Sequence, residues 1–336
     1  MVIEIQSTLF LDEKNLVDLS YLLTIFSENR RYNYFCEIDK IRETEVFKNL
    51  IPIHRELIEE NFNSIVNQSS KIDYVVSVET SNDSFNVQEA KLFFNQPFIL
   101  ILENSNNDGY FINALIKCFR KRSKKIALHK ENRWLQYGMG GGCNNIVNFI
   151  TALIKSYEGL ELPKASNNYL KCMVLIDSDK EFETDNTKPD RVKLFTFLKE
   201  NGIRYHEFKK REMENYLPDE VLESIPEIDE YIQYYLQLSP IQKDYFDIEN
   251  GFNNKKLSQL PMEVQDLYSD LDETTIGVLR KGMTISNFKG SLFKAEFPKL
   301  FEHEKVTKES LLSRTIHQGN EQSELQTVLD KISELL

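Results

Sequence analysis

Cysteine is scarce in this chain of 336 residues, with only Cys36, Cys118, Cys143 and Cys172, none at metal-ligand spacing from another. That scatter excludes a disulfide framework or a zinc ribbon and is the usage expected of a reducing cytoplasm. Long apolar runs are missing as well. No stretch approaches the roughly 20 residues that a membrane-spanning helix needs, so no membrane partner is expected. The start, Met-Val-Ile-Glu-Ile-Gln, has no basic segment followed by an apolar core, so no secretory leader is expected. Positive charge is in deficit: 41 Lys and Arg face 53 Asp and Glu, for a net charge of −12. That balance argues against a protein that coats nucleic acid along its length.

Several catalytic signatures are also absent. The five histidines, His54, His129, His206, His303 and His317, form no His-Glu-x-x-His and no i, i+4 pair. No Gly-x-Ser-x-Gly elbow occurs, and no Gly-x-Gly-x-x-Gly opens a helix after a strand, which disfavours a nicotinamide cofactor. Glycine is sparse, and four of the 12 crowd into Gly138, Gly140, Gly141 and Gly142. This run is no Walker A loop, because Gly142 is followed by Cys-Asn-Asn rather than Lys-Ser/Thr, so ATP hydrolysis by this chain is not expected. It reads either as a tight turn that needs positive φ or as a backbone that lets a phosphate or metal approach closely.

What remains is the pattern of a folded α/β protein, 41% hydrophobic and 28% charged. Residues 1–95 read as a mixed, mostly helical region. Apolar spacing predicts a helix over 14–27, another over 44–67 broken near Pro52, and a strand over 73–79. Residues 96–220 alternate. Strands are predicted at 98–102, 134–137, 170–176 and 203–208, and helices at 108–121, 145–157 and 191–201, the last closed by Gly202. Such alternation implies a parallel sheet with helices on its faces. Residues 221–336 read as helical, with one helix around Tyr231–Leu236 and an amphipathic terminal helix carrying Leu325, Val328, Leu329, Ile332 and Leu335.

Two predicted strands end abruptly in acid. Phe98–Leu102 runs into Glu103, and Met173–Ile176 runs into Asp177-Ser178-Asp179-Lys180-Glu181. An uninterrupted apolar run is how a buried parallel strand reads, and the carboxyl edge of an open α/β sheet is where ligands bind. Carboxylates gathered there repel one another unless cations sit between them, so the pair points to a divalent-metal site. A further crowded stretch, Lys210-Arg211-Glu212-Met213-Glu214-Asn215-Tyr216-Leu217, follows the last predicted strand. Glu214 stands either to reach the same site or to cap the next helix. Basic residues cluster between Lys117 and Arg133, among them Lys121, Lys124 and Lys125, and again at Lys209-Lys210-Arg211. Each cluster is either a solvated face or, beside a metal site, the cations that a phosphate backbone needs.

Glu103 at a strand end, a glycine-rich turn before the next helix, Asp177-x-Asp179-x-Glu181 after a later strand and then Arg-Glu-Met-Glu-Asn-Tyr-Leu together resemble a TOPRIM domain. The last stretch is similar to the OLD-family nucleases and to stand-alone TOPRIM proteins of prokaryotic anti-phage defence. The resemblance covers roughly residues 95–220 and implies a central TOPRIM metal-binding domain, 96–220, between mainly helical flanks. It implies a divalent-metal-dependent nuclease that hydrolyses DNA or RNA, with Mg2+ or Mn2+ as cofactor. Glu103, Asp177 and Asp179 would be catalytic and, with Glu181, Glu214 and Asp108, metal-ligating. Gly140, Gly141, Gly142, Lys121, Lys124, Lys125, Lys210 and Arg211 would meet phosphate. The family usually places its second acid four positions after the first. Here that position is Asn107, the acid Asp108 comes one later, and Asn104 stands where glycine is common. Either the turn is one residue longer or a second metal is held less tightly. OLD nucleases carry an ABC-type ATPase on the same chain, so the resemblance implies here a separate ABC/SMC-like ATPase subunit. The alternative is a catalytically weak TOPRIM-fold subunit that binds or regulates.

Overall fold

The two acid-tipped runs are the central strands of a parallel sheet. A computed structural model describes residues 1–66, 71–225, 230–319 and 322–336. The protein is α/β, with two four-stranded sheets whose strands all run parallel.

The first sheet comprises β1 (Val2–Ile5), β2 (Asn33–Phe35), β3 (Tyr74–Val76) and β4 (Ser84–Phe85) in the order β2-β1-β3-β4. Helices Leu16–Ser27, Pro52–Val66 and Val87–Asn95 pack around it, the last opened by a capping box between Asn86 and Glu89. The sequence shows the first two of these helices and β3 but not Val87–Asn95, and β1, β2 and β4, at four, three and two residues, are too short for a period to be read. The predicted 44–67 helix is Glu45–Asn49 and Pro52–Val66, split at the proline; its last residue lies outside the described residues. An aromatic cluster including Phe26, Tyr34, Phe85 and Phe94 fills this region's core.

The second sheet has β5 (Phe98–Leu102), β6 (Leu135–Met139), β7 (Cys172–Ile176) and β8 (Arg204–Glu207) in the order β6-β5-β7-β8. Leu102 pairs with Met139 on one side and Leu175 on the other. Both faces are covered, which is why β5 and β7 read as solid apolar runs. Leu100, Leu102, Met173 and Leu175 face the Asp108–Cys118 helix and the C-terminal helices. Ile101, Val174 and Ile176 face the Cys143–Lys155 and Pro189–Glu200 helices. The connection from β5 leads outward to β6, then the chain recrosses to β7. The order therefore reverses between β5 and β7, at the carboxyl edge where ligands bind in such sheets.

β6 runs two residues beyond its predicted end, so Gly138 belongs to the strand. A Cβ at Gly138 would stand 2.8 Å from Ile99 Cγ2, and one at Gly140 would stand 2.3 Å from Ile146 Cγ1 and 2.9 Å from the Leu102 carbonyl. These glycines let β6 lie flat against β5 and the next helix. The turn itself falls at Gly141 and Gly142, with φ of +66° and +92°.

The C-terminal region folds onto the β5–β7 sheet through a buried carboxylate. Glu324, 3% exposed, opens the terminal helix Glu324–Leu335. It accepts hydrogen bonds from Lys209 N at 2.8 Å and from the Tyr216 hydroxyl, and it lies 3.1 Å from His206 Nε2. Among the described residues, no helix is long and apolar enough to cross a membrane.

Because the Gly140 neighbours include backbone, Gly140→Ala should destabilise the protein by about 1–3 kcal/mol. Urea unfolding should show a lower midpoint; an unchanged midpoint would mean the β5–β6 edge is looser than described.

Candidate metal centre

Seven carboxylates from separate parts of the chain line one cavity of about 130 Å³: Glu103, Asp108, Asp177, Asp179, Glu212, Glu214 and Glu249, with Lys294 beside them. Glu103 follows β5 and Asp177 follows β7 directly, so the switch point of the sheet sets them side by side. The Asp177-Ser178-Asp179 turn is laced to the stretch after β8. Ser178 Oγ donates to the Lys210 carbonyl at 2.8 Å, and Asp179 N donates to the Arg211 carbonyl at 2.9 Å. Asp179 takes φ of +52°, a conformation Asp tolerates better than most residues.

The turn after β5 places Asp108 as well as Asn107 on the cavity wall. Asn104 N donates to Asp108 Oδ2 at 2.7 Å, and Asp108 N donates back to the Asn104 carbonyl at 2.8 Å. This closed loop carries the acid one residue further along and still sets Asp108 on the cavity wall, beside Asn107. Glu214 also lines the cavity. Its neighbours in the Glu-Asn-Tyr stretch hold the C-terminal region: Asn215 Nδ2 donates to the carbonyls of Lys243 and Phe246 at 2.8 and 2.9 Å, and Tyr216 donates to Glu324.

Burial dominates the electrostatics. It raises the Asp177 carboxyl well above the usual range, with Asp108, Glu214, Glu103 and Glu212 adding repulsion. Burial pushes Asp108 up to about 7 and Glu212 up to about 8, and raises Glu103, Glu214 and Glu249. The main internal counter-charge is Arg191, 1% exposed. Its Nη2 lies 2.5 Å from Asp179 Oδ2 and 3.7 Å from Glu103 Oε2, while Lys188 Nζ lies 3.8 Å from Asp179.

That compensation is incomplete. Asp177 Oδ1 and Glu103 Oε2 are sealed from solvent and receive no hydrogen bond. Buried acceptors without donors cost free energy unless a proton or cation supplies the missing partner. The donor set is all oxygen, the chemistry suited to Mg2+ or Mn2+, so the residues fit such an ion. Among the described residues, however, no three acidic, histidine or cysteine groups stand as a finished ligand set; Asp179 is drawn onto Arg191.

The other predicted site residues are dispersed. Glu181 lines a neighbouring cavity with Arg211. Gly140 N and Gly141 N donate to the carbonyls of Leu102 and Glu103, each at 2.7 Å. Those two donors extend the β5–β6 ladder and are not free to cradle an anion. Lys121, Lys124 and Lys125 lie past the far end of the Asp108–Cys118 helix, before β6 begins. Lys125 Nζ there donates to the Ser333 carbonyl at 3.4 Å. Lys210 is fully buried, with Nζ 2.6 Å from Asp244 Oδ1. Arg211 pairs with Asp247 at 3.1 Å.

Sequence reasoning missed Arg191, Glu212, Glu249 and Lys294. Glu212 lay within the Arg-Glu-Met-Glu stretch and was within reach. Arg191 begins a helix like many solvated arginines, and Glu249 and Lys294 reach the cavity only through the tertiary fold. No known protein family, curated protein or solved structure matches the chain.

The raised Asp108 and Glu212 carboxyls mean that the folded state holds extra protons between the unfolded values near 4 and their folded values of about 7 and about 8. Their contribution is neutral below about pH 4 and becomes progressively destabilising as pH rises through that window. In Asp177→Asn the amide can donate to neighbouring carboxylates. The variant should be more stable than the wild type at about pH 8 without divalent metal, by about 1–3 kcal/mol. Mn2+ should raise the wild-type melting temperature more at about pH 8 than at about pH 5, because ionised ligands bind it, and should raise that of the variant little. A wild-type protein whose melting ignores Mn2+ at both pH values would sink the metal assignment.

Proposed function

We propose that the chain is a divalent-metal-dependent nuclease that hydrolyses phosphodiester bonds of DNA or RNA, of the TOPRIM class resembled by its motifs. The single observation that carries this reading is the sealed, donor-less Asp177 Oδ1 at the β5–β7 switch point, surrounded by six further carboxylates. Glu103, Asp108, Asp177, Asp179 and Glu214 would hold Mg2+ or Mn2+. When bound, the ion supplies Lewis acidity toward a phosphoryl oxygen and activates water. The chain's own groups do the rest. Lys294, exposed at the cavity, offers an ammonium to a phosphate oxygen in a site otherwise hostile to anions. Arg191 fixes the Asp179 rotamer and keeps Glu103 beside it. Ser178 and the Arg211 carbonyl hold the acidic turn in place.

Following the OLD-family resemblance, we assign restraint or activation of the nuclease to a separate ABC/SMC-like ATPase, in prokaryotic anti-phage defence. One observation favours a second reading, a catalytically weak binding or regulatory subunit: Asp179 is engaged by Arg191 at 2.5 Å rather than turned to its neighbours.

Cleavage of plasmid DNA and of tRNA with Mg2+ or Mn2+ separates the two. The wild type should cut at least one of them, and Asp177→Ala should lower the rate at least about a hundredfold, the factor that several kcal/mol of charge stabilisation implies. Lys294→Ala should lower it less, about tenfold or more. A wild type with no metal-dependent cleavage supports the second reading, and an Asp177→Ala variant that cuts as fast as wild type refutes the site.

A further inference from the structure

Glu181, the last acid of the Asp-x-Asp-x-Glu series, faces away from the carboxylate cluster into a second cavity of about 300 Å³. This cavity adjoins the first through the Arg211 carbonyl, which accepts the Asp179 N–H. Its walls are unlike those of its neighbour. Phe246, Phe252 and Tyr268 are buried and pack against one another, with ring centroids 5.4 Å apart for Phe246 and Phe252 and 5.0 Å apart for Phe252 and Tyr268. Tyr245, only partly buried, lines the space as well, and Lys255 is exposed on the lining.

The loop that forms one wall is set in place before any ligand arrives. A Cβ on Gly251 would fall 1.9 Å from the Leu279 carbonyl, so the backbone there lies hard against its neighbour. Asn254 N donates to the Arg280 carbonyl at 2.7 Å, and Asn253 and Asn254 take φ of +52° and +60°. Such a loop presents a shaped pocket rather than a collapsing surface.

We propose that this cavity takes one unpaired nucleobase of a nucleic-acid strand whose phosphate lies at the carboxylate cluster. The inference rests on the nuclease reading for the presence of a strand and names its substrate class, a single-stranded or locally opened one. The volume stands at the small end of ligand pockets, room for a base but not for a base pair. A base held in a duplex cannot reach such a recess; it must be unstacked or unpaired first. Aromatic rings supply a stacking face for any base, and Lys255 supplies charge for the backbone. The Asp247 carboxylate is occupied: Oδ1 accepts from Asn250 N at 2.7 Å and Oδ2 from Arg211. The Glu181 carboxylate, which also lines the cavity, offers an acceptor to an exocyclic amino group, as acidic side chains accept from cytosine N4. The pocket therefore favours bases that carry an amino group over uracil and thymine.

The test is equilibrium binding of a short fluorescent single strand of mixed sequence to the full chain, read by anisotropy with Ca2+ in place of Mg2+, the strand being checked for integrity afterwards so that no cleavage intervenes. The wild type should bind the strand more tightly than the same sequence as a duplex. Tyr245→Ala should weaken single-strand binding about 5- to 150-fold, the worth of one stacked base. Strands with a single abasic site scanned along the sequence remove the base without touching the protein. At one position the abasic strand should lose a similar factor on the wild type and lose no more on Tyr245→Ala. Glu181→Gln should narrow the preference for amino-bearing bases. Equal wild-type affinity for strand and duplex, or abasic losses that are the same on wild type and variant, would overturn the proposal. Cleavage in Mg2+ is measured separately. A pocket that passes these tests in a protein that cuts nothing defeats the nuclease reading alone, and a protein that cuts while Tyr245→Ala binds as wild type defeats the pocket alone.

Discussion

Repulsion among carboxylates at the β5–β7 switch point is the constraint around which the rest of the chain is arranged. Two unit charges 4 Å apart interact by about 4 kcal/mol at the effective dielectric of a protein surface, and seven acids line this one cavity. Such a cluster exists only if the scaffold around it resists being pushed apart. A sheet buried on both faces supplies that resistance, since neither β5 nor β7 can shift without opening an apolar core. Arg191 offsets part of the charge from inside, and burial pushes the Asp177, Asp108 and Glu212 carboxyls toward their neutral forms. What is left over, at Asp177 and Glu103, is the unmet demand that a cation would satisfy.

The C-terminal region is held to this scaffold by polar groups, and that choice has consequences. Glu324, Lys210, Asp244 and Asn215 are all buried and joined to the stretch between β8 and residue 217. Burial, with help from Arg314, lowers the Lys210 ammonium to about 7 against the pull of Asp244. Buried pairs of this kind add little net stability, but they admit few alternative arrangements. Here they set the register by which Glu249 and Lys294, far along the chain, arrive at the cavity.

The sequence was most legible where a strand is buried on both sides. β5, β7 and the acids at their tips stood out because neither strand alternates. Glu214 and Asp108 could be named as candidates because they lie close in sequence to those strands. Of the first sheet only β3 could be seen, since strands as short as β1, β2 and β4 carry no period. Gly138 was read as a break because a glycine's spatial reason, here the proximity of Ile99 and Phe149, is invisible without the neighbour. The basic run at Lys121–Lys125 failed for a topological reason. In a β-α-β unit the helix returns toward the amino edge, so charges at its far end point away from a carboxyl-edge site even though they are close in sequence. Glu249 and Lys294 had no local pattern at all.

A single backbone hydrogen bond, Asp179 N to the Arg211 carbonyl, divides the acidic series between two environments. Asp177 and Asp179 stay on the cation-seeking side, where every wall but Lys294 is acidic, neutral or apolar. Glu181, two residues on, emerges among aromatic rings and basic groups. Strand alternation would keep acids at i, i+2 and i+4 on one side; the left-handed turn at Asp179 breaks that period, so equal spacing in the sequence does not imply a shared ligand. Joining the carboxylate cluster to an aromatic recess would also reconcile the overall acidity of the chain with the polyanionic partner we propose. Such a strand would gain affinity from stacking and from a few placed cations, while the cluster would admit its phosphate only with divalent ions there to receive it.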